Sequence, residues 1–297
     1  MDLALAVDVG ATKVAAGVVD ERGCLLDRAT IPTNPAADDE ESVPDGDDLF
    51  GRIAELLERF APFDRFVCCG IGSAGPVSAD GRRLSPLNIP AFRDFPLLDR
   101  GTEATGLPTR LETDAKALAL AEGWVGGAVG VSDYMAMVVS TGIGGGIVLN
   151  GRLLDGGSGN AGHVGQMIVC WPGRAIPSHV AGSLEAEASG TAIAVHSGRP
   201  APEARTAVIA EAGRVVGRAA GSVANLLDLK LVLVAGSVAL GLGEPFFAAA
   251  QKEMDRICRL EFTLGARIQP AGCGAAGPLV GAAAVGFQGI GRSLTTE

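Results

Sequence analysis

Aromatic residues are scarce in this 297-residue chain: one Tyr, two Trp and ten Phe, 4% of the total. With 47% hydrophobic residues there is still ample apolar material for a core, so that core is built mainly from aliphatic side chains. Lysine is scarcer still, at four residues, and the arginines are scattered. A nucleic-acid binder shows a basic patch, and none is present here, so no nucleic-acid partner is expected. No C-x-x-C pair occurs among Cys24, Cys68, Cys69, Cys170, Cys258 and Cys273. They read as reduced, mostly buried thiols of a cytosolic protein. The N-terminus lacks the basic region and cleavage site of a signal peptide, so a cytoplasmic location is expected. Long apolar runs free of interruption are also missing. Residues 134–151 and 268–291 carry no charge, but glycines break both runs, and Pro270 and Pro278 break the second. Neither reads as a membrane helix, and no membrane partner is expected.

Glycine, by contrast, is abundant: 43 residues, about 14% and roughly twice the usual share. The glycines follow no three-residue period, which excludes collagen, and they lie among Val, Ile, Leu and Ala, which argues against disorder. They must serve turns, or places where backbone closely approaches a ligand. The net charge is −10, but Asp38, Asp39, Glu40, Glu41, Asp45, Asp47 and Asp48 crowd one segment, and without them the balance is −3. Residues 38–48 read as a solvated loop.

Along the chain, 3–9, 14–19 and 24–31 read as strands of an N-terminal meander. Helical spacing places Leu49, Ile53, Leu56, Leu57 and Phe60 on one face of a helix over 49–60. A strand over 66–72, a loop-rich stretch over 73–96, a short strand near 109–112 and a helix over 114–127 follow. Residues 134–140 and 146–154 read as strands around a glycine loop. A strand–glycine turn–strand unit thus occurs twice, which predicts two related α/β domains. A long helix over 205–228 carries Val208, Ala212, Val215, Val216, Ala219, Val223, Leu226 and Leu227 on one face. A strand over 231–235 and helices over 245–259 and 278–290 complete the reading. The expected domains are 1–116, completed by 279–297, and 117–278.

Several short motifs carry chemistry. Asp8-Val9-Gly10-Ala11-Thr12-Lys13 ends a strand with a carboxylate and a tight turn, whose amides and Thr12 hydroxyl suit phosphate oxygens. Asp8 suits Mg²⁺, which takes few carboxylates and keeps its waters. Ser140-Thr141-Gly142-Ile143-Gly144-Gly145-Gly146 is a second phosphate-cradling loop, and it fits neither a Walker A nor a Rossmann fingerprint. Asp114, where a strand passes into a helix, reads either as a helix cap or as a general base. His163, within a glycine-rich stretch over 157–166, and Glu185 are candidate ligands, and a lone His is also a common structural residue. In Ala235-Gly236-Ser237-Val238 the glycine either lets an adenosine approach or caps the strand. An ordinary hairpin turn remains the alternative for each glycine loop.

Taken together, these motifs resemble the ROK family of sugar kinases and related repressors. The match spans Asp8 to about Gly289. It comprises D-x-G-x-T-K at 8–13, Gly72-Ser73-Ala74-Gly75-Pro76-Val77, Leu87-Asn88-Ile89-Pro90, Asp114, S-T-G-x-G-G-G at 140–146, G-x-A-G-x-x-G at 159–165, G-x-x-E at 182–185 and A-G-S-V at 235–238. The resemblance implies an α/β, two-domain actin-like ATPase / hexokinase (ribonuclease H-like) fold with an interdomain cleft. It implies Mg-ATP as cofactor, with Asp8, Gly10, Thr12, Lys13, Thr141, Gly142, Gly144 and Gly145 around the phosphates, and Gly236 and Ser237 near the adenosine. Asp114 falls on the family's catalytic base. Gly75, Asn88, Thr113, Asp114, Asn160, His163 and Glu185 fall on the sugar site. The implied activity is ATP-dependent phosphorylation of a hexose or N-acetylhexosamine at the 6-hydroxyl, by a homodimer.

Departures from the family pattern matter as much. Typical members have Glu in place of His163 and Asn in place of Thr113, although a subset resembling bacterial N-acetylmannosamine kinases carries A-G-H-x-G-H. Members usually bind a structural zinc through one His and three Cys. The matching positions here are Gln166, Ile176, Ser178 and Ser183. Zinc needs about four N or S ligands, so no zinc is expected. The 170–181 loop would then be held by packing of Trp171, Pro172 and Pro177. Two competing readings are a sugar-binding protein that lost catalysis and a repressor. Retention of Asp8, Thr12, Asp114 and Glu185 speaks against the first. A motif starting at residue 8 leaves no room for a preceding helix-turn-helix, which speaks against the second.

Overall fold

The structure, a computed structural model, describes residues 1–34, 45–177 and 179–294. The chain forms two compact units. The first comprises 1–129, 155–161 and 273–297, and the second 130–154 and 162–272.

In the first unit, β1 (Leu3–Val9), β2 (Lys13–Asp20) and β3 (Leu25–Pro32) form an antiparallel meander. After α1 (Gly46–Glu58), strand β4 (Phe66–Ser73) pairs parallel to β1, and β5 (Thr109–Thr113) pairs parallel to β4. The sheet order is β3-β2-β1-β4-β5. Helix α2 (Leu97–Thr105) precedes β5, and α3 (Asp114–Val125) follows it directly. One face of the sheet packs aliphatic residues against Leu49, Phe50, Ile53 and Leu57 of α1 and against Phe92 and Phe95. On the other lies α9 (Gly277–Gly289), whose sequence is almost entirely Gly, Ala, Val and Leu. A Cβ at Gly70 of β4 would overlap the Ala282 carbonyl of α9, and one at Gly281 would overlap the Ala117 carbonyl of α3. Small residues thus let helix and sheet backbones approach without bulky side chains between them. Cys69 faces the α1 side and the Cys68 sulfur meets Gly286 of α9, which puts these neighbours on opposite faces.

In the second unit, β6 (Tyr134–Val139), β7 (Ile143–Leu149) and β8 (Arg152–Leu153) form an antiparallel meander. Strands β9 (Leu231–Ala235) and β10 (Arg267–Pro270) extend it in parallel beyond β6. The order β8-β7-β6-β9-β10 repeats that of the first sheet, strand for strand. The helices are α4 (Leu184–Ala188), α5 (Gly190–Ser197), α6 (Thr206–Leu227), α7 (Ser237–Leu242) and α8 (Glu244–Ile257). Gly213 and Gly217 of α6 lie against the carbonyls of Phe246 and Ala250 of α8, where any side chain would overlap backbone. Among the described residues no helix is long and apolar enough to cross a membrane.

Four sequence expectations shift. Asp45 caps α1 through its side chain, and Asp47 and Asp48 occupy the first turn, where the helix dipole favours acids. That part of the 38–48 segment is therefore helix rather than solvated loop, and residues 38–44 lie outside those described. Strand β7 begins at Ile143, so Gly144, Gly145 and Gly146 pair in the sheet and the turn shrinks to residues 140–142. Leu226, expected on the inner face of α6, is 79% exposed. Finally, the first unit runs to Val129 rather than ending near 116, because α3 packs on α9.

Candidate functional site

In the first unit the parallel strands end in register: Asp8 lies beside Gly72, and Gly72 beside Glu112. The carboxyl ends of parallel strands are where open α/β sheets bind ligands. Asp8 is the last polar residue of β1, and Asp114 opens α3 just beyond β5. Burial pushes the Asp8 carboxyl up to about 7, the nearby Asp114 carboxylate adds to the shift, and Lys13 opposes it. Two carboxyls that disfavour each other's ionisation suit a hard dication such as the magnesium that accompanies ATP. Thr12 in the turn and Lys13 at the start of β2 are exposed. The Gly10 amide donates to the Lys13 carbonyl (3.0 Å), and Thr33 Oγ1 donates to the Gly10 carbonyl (2.6 Å), which fixes the loop.

The alternative role of Asp114 as a cap can be checked directly. Thr113 holds the N-cap position and makes no side-chain cap bond, while Asp114 is the first helical residue and its Oδ1 accepts from the Ala115 amide (2.7 Å). Thr113 is buried, and its amide donates to Glu112 Oε1 (2.9 Å). Asn88 is exposed and Gly75 partly so. Asn160 is engaged at both ends of its amide: Oδ1 accepts from the Val77 amide (3.0 Å), and Nδ2 donates to the carbonyls of Val77 (2.8 Å) and Ser158 (3.0 Å). It is therefore a strut between the 155–160 loop and the turn that carries Gly75.

In the second unit the Ser140–Gly142 turn is tied down by its own carbonyls. Ser140 O accepts from the Gly190 amide (2.8 Å), and Thr141 O accepts from Thr191 Oγ1 (3.0 Å). Ser140 Oγ lies 3.0 Å from Ser237 Oγ, which joins the 140–146 and 235–238 motifs. Gly236, at φ +103°, has its α-carbon against the Val139 carbonyl, so close approach of β6 already requires this glycine. Glu185 nests between Gly142 and Gly165: a Cβ at Gly142 would overlap its Oε1, and one at Gly165 would press on its Oε2. Gln166 Nε2 donates to Glu185 Oε2 (3.2 Å), and His179 Nε2 lies 3.4 Å from Oε1. His163 is exposed beside Gly162, whose carbonyl accepts from the Gly145 amide (2.8 Å).

The positions that would hold zinc do not fit it. Gln166 serves Glu185, Ile176 is a buried apolar residue, and Ser183 Oγ caps α4 by accepting from the Ala186 amide (3.3 Å). Ser178 lies outside the described residues. Among the described residues no group of three His, Cys, Asp or Glu could hold a metal ion. Packing by Trp171 does not brace the loop either, because its side chain is 88% exposed. An ion pair does so instead. Arg174 donates through Nε to Glu187 Oε2 (2.6 Å), through Nη2 to the Glu187 carbonyl (3.0 Å) and through its backbone amide to Oε1. Glu187 is buried two residues beyond Glu185. Sequence reasoning missed this pair, and also Lys116, whose side chain is fully buried beside the site. The signal for Lys116 was there: it is the only basic residue in α3 and stands four residues after Glu112.

Comparison with known proteins agrees with this geometry. Residues 4–288 match the model of the ROK family. An N-acetylmannosamine kinase of Yersinia pseudotuberculosis is 36% identical over 286 residues, covering 88% of this chain and 92% of that protein. The crystal structure of a ROK hexokinase from Thermus thermophilus superposes with a TM-score of 0.80 at 31% identity, covering 97% of this chain and 99% of that one. A ROK glucokinase from Streptomyces griseus, in complex with glucose and AMPPNP, superposes with a TM-score of 0.81 at 27% identity, covering 96% and 99%. With its duplicated five-stranded sheets, paired glycine turns and strand-end carboxylates, the chain has the actin-like ATPase fold and belongs to the ROK family.

Proposed function

We propose that the protein is an ATP-dependent sugar kinase that phosphorylates the 6-hydroxyl of a hexose or N-acetylhexosamine. The observation that carries this reading is the Asp8–Asp114 pair at the strand ends of the first unit. One carboxyl is poised toward neutrality unless a cation joins it, and the other opens a helix without serving as its cap. Asp114 accepts the proton of the attacking hydroxyl. Asp8 is the residue that would hold magnesium, which when bound offsets charge on the transferred phosphoryl group. Thr12 and Lys13 bind and orient the phosphates, with Gly10 keeping the turn tight. In the second unit the Ser140–Gly142 turn, followed by Gly144 and Gly145, serves the phosphates, and Gly236 and Ser237 serve the adenosine. Glu185, fixed by Gln166 and nested on Gly142, accepts from sugar hydroxyls, and the short path from Glu185 to Gly142 couples sugar recognition to the phosphate turn. Gly75, Asn88, Thr113 and His163 complete the sugar contacts. Asn160 contributes by holding the Gly75 turn.

His163 in Ala161-Gly162-His163-Val164-Gly165 makes N-acetylmannosamine the first sugar to try, with glucose second. A homodimer in the cytoplasm, with no nucleic-acid partner, completes the proposal and rests on the family resemblance. The test is a coupled ADP-release assay over a panel of hexoses and N-acetylhexosamines. Turnover of at least one sugar, dependent on Mg²⁺ and insensitive to a chelator that spares Mg²⁺, is expected. No turnover with any sugar, in protein that binds ATP, would favour the non-catalytic reading instead.

A further inference from the structure

Lys116 is the least expected residue near the proposed base. Its side chain is completely buried, yet Nζ meets three oxygens: Glu112 Oε2 (3.0 Å), Asp155 Oδ1 (2.9 Å) and the Gly159 carbonyl (2.9 Å). An ammonium has three protons, so these partners satisfy it fully. The three oxygens belong to different parts of the first unit. Glu112 is the last residue but one of β5, and its other oxygen accepts from the Thr113 amide directly before Asp114. Asp155 and Gly159 lie on the loop that carries Asn160, and the Asp155 carbonyl accepts from the Ala161 amide (3.0 Å). Asn160 in turn grips Val77 through both backbone groups, as a neighbouring strand would. The 155–161 loop has no helix or strand of its own, so its place depends on these few bonds.

We propose that Lys116 is a positioning residue for sugar binding. It pins the 155–160 loop so that Asn160 holds the Gly75–Val77 turn, and it ties that turn to the Thr113–Asp114 junction. Its ammonium joins the wall that receives the sugar to the start of the helix that carries the base. This inference rests on the sugar-kinase reading for its kinetic consequence, and its structural consequence stands without that reading. Lysine suits the position because a buried ammonium can bond three oxygens from diverging directions. A neutral amide at residue 116 would leave at least one of two carboxylates uncompensated.

The experiment uses the full chain with Lys116→Met, Asp155→Ala, Asn160→Ala and the Lys116→Met/Asn160→Ala double variant. Two readouts are taken: steady-state constants for the sugar that wild type turns over best and for ATP, and hydrogen exchange at the Val77 amide, which donates to Asn160. Lys116→Met is expected to raise the sugar KM about tenfold or more and leave the ATP KM within about twofold. It should speed Val77 exchange at least about tenfold, and the double variant should be no worse than the worse single one. A Lys116→Met protein with a lowered Tm but sugar KM and Val77 exchange within about twofold of wild type would show Lys116 to be only structural, and additive effects in the double variant would also overturn the proposal. If Lys116→Met does not fold, Asp155→Ala carries the same test, since the Asp155 side chain is 61% exposed, with about a threefold effect expected in both readouts. If wild type turns over no sugar, the kinase reading fails, and Val77 exchange still decides whether Lys116 holds the loop.

Discussion

Replacing Asp8 by Asn should make the ligand-free protein more stable while destroying its activity. Burial and Asp114 lift the Asp8 carboxyl to about 7, against 3.8 in an unstructured chain. Below about pH 4 the folded and unfolded chains both hold this proton. Between about pH 4 and 7 only the folded chain keeps it, so the stability Asp8 contributes is lost as pH rises through that window and levels off above it. Three units at about 1.4 kcal/mol each set a ceiling near 4 kcal/mol. The side chain is only partly buried, so water screens part of this, and about 2 kcal/mol is the expected effect at pH 8. In a chain of this size that is a Tm increase of roughly 4 °C for Asp8→Asn at pH 8, shrinking to about nothing at pH 4. Thermal unfolding of both proteins across this range isolates Asp8 as the difference between two curves. Mg-ATP at pH 8 should raise the Tm of wild type by more than that of the variant, because the cation rewards the ionised carboxylate. Sugar turnover should fall about a hundredfold or more in the variant. An Asp8→Asn protein that melts no higher than wild type at pH 8 would refute the claim that ionised Asp8 is disfavoured without a cation.

Asp114→Asn should lower kcat about a thousandfold and shift Tm by no more than about 2 °C, because Thr113 holds the N-cap position and the Asn side-chain oxygen can still accept from the Ala115 amide. A kcat within about threefold of wild type would reject Asp114 as the base. Gly142→Ala should raise the sugar KM a few-fold, since the Glu185 carboxylate must turn aside to admit the new methyl group, while Glu185→Ala should raise it about tenfold or more, and an unchanged KM in Glu185→Ala would remove Glu185 from the sugar site. Arg174→Ala leaves the buried Glu187 carboxylate without its cation and should cost about 2–3 kcal/mol in chemical denaturation, whereas Trp171→Ala should stay within about 0.5 kcal/mol. The reverse order would mean that the tryptophan, not the ion pair, braces the loop.

Much of the fold was legible in the sequence because its signals are local. Apolar runs bounded by glycine located β1, β4, β6 and β9, and periodicity located α1, α6, α8 and α9 to within a few residues. The repeat of a strand–glycine turn–strand unit foretold two related domains, and the two sheets indeed share one strand order. Long-range determinants were not legible. That Gly144 to Gly146 pair within β7 depends on β6 lying alongside, which no local pattern reports. Leu226 stands four residues after exposed Ser222 on the outward face of α6, while Val223 and Leu227 turn to the core. Glycines near the site were the hardest to read. Gly142 and Gly236 both fall in motifs assigned to ATP, yet Gly142 abuts Glu185 and Gly236 abuts the Val139 carbonyl. At Gly236 the backbone itself demands glycine, and at Gly142 a side chain would displace Glu185, so a glycine in such a motif identifies the loop without identifying the ligand.

The substrate loop shows how one physical task can be met by different chemistry. The described residues of 167–183, between the Gln166 turn and α4, form no helix or strand of their own, and in the proposed reading they must still hold Glu185 in place. Where four zinc ligands are absent, the restraint has to come from another multidentate contact. A single hydrogen bond would contribute only about 1 kcal/mol, too little to fix a loop. Arg174 gives Glu187 three bonds, from Nε to the carboxylate, from Nη2 to the carbonyl and from its backbone amide to the other carboxylate oxygen, and the Arg174 carbonyl accepts from the Gly182 amide (2.9 Å). The closure brings Gly173 and Gly182 into backbone contact, leaving no room for a side chain at either. It also differs from a metal in how it fails. Zinc chelation should leave this loop intact, whereas screening by salt should loosen it, because Arg174 is 42% exposed. A rise of the sugar KM with ionic strength in wild type, absent in Arg174→Ala, is therefore the signature of an ion pair doing the work of a metal. A KM that depends on salt equally in both proteins would place the restraint elsewhere.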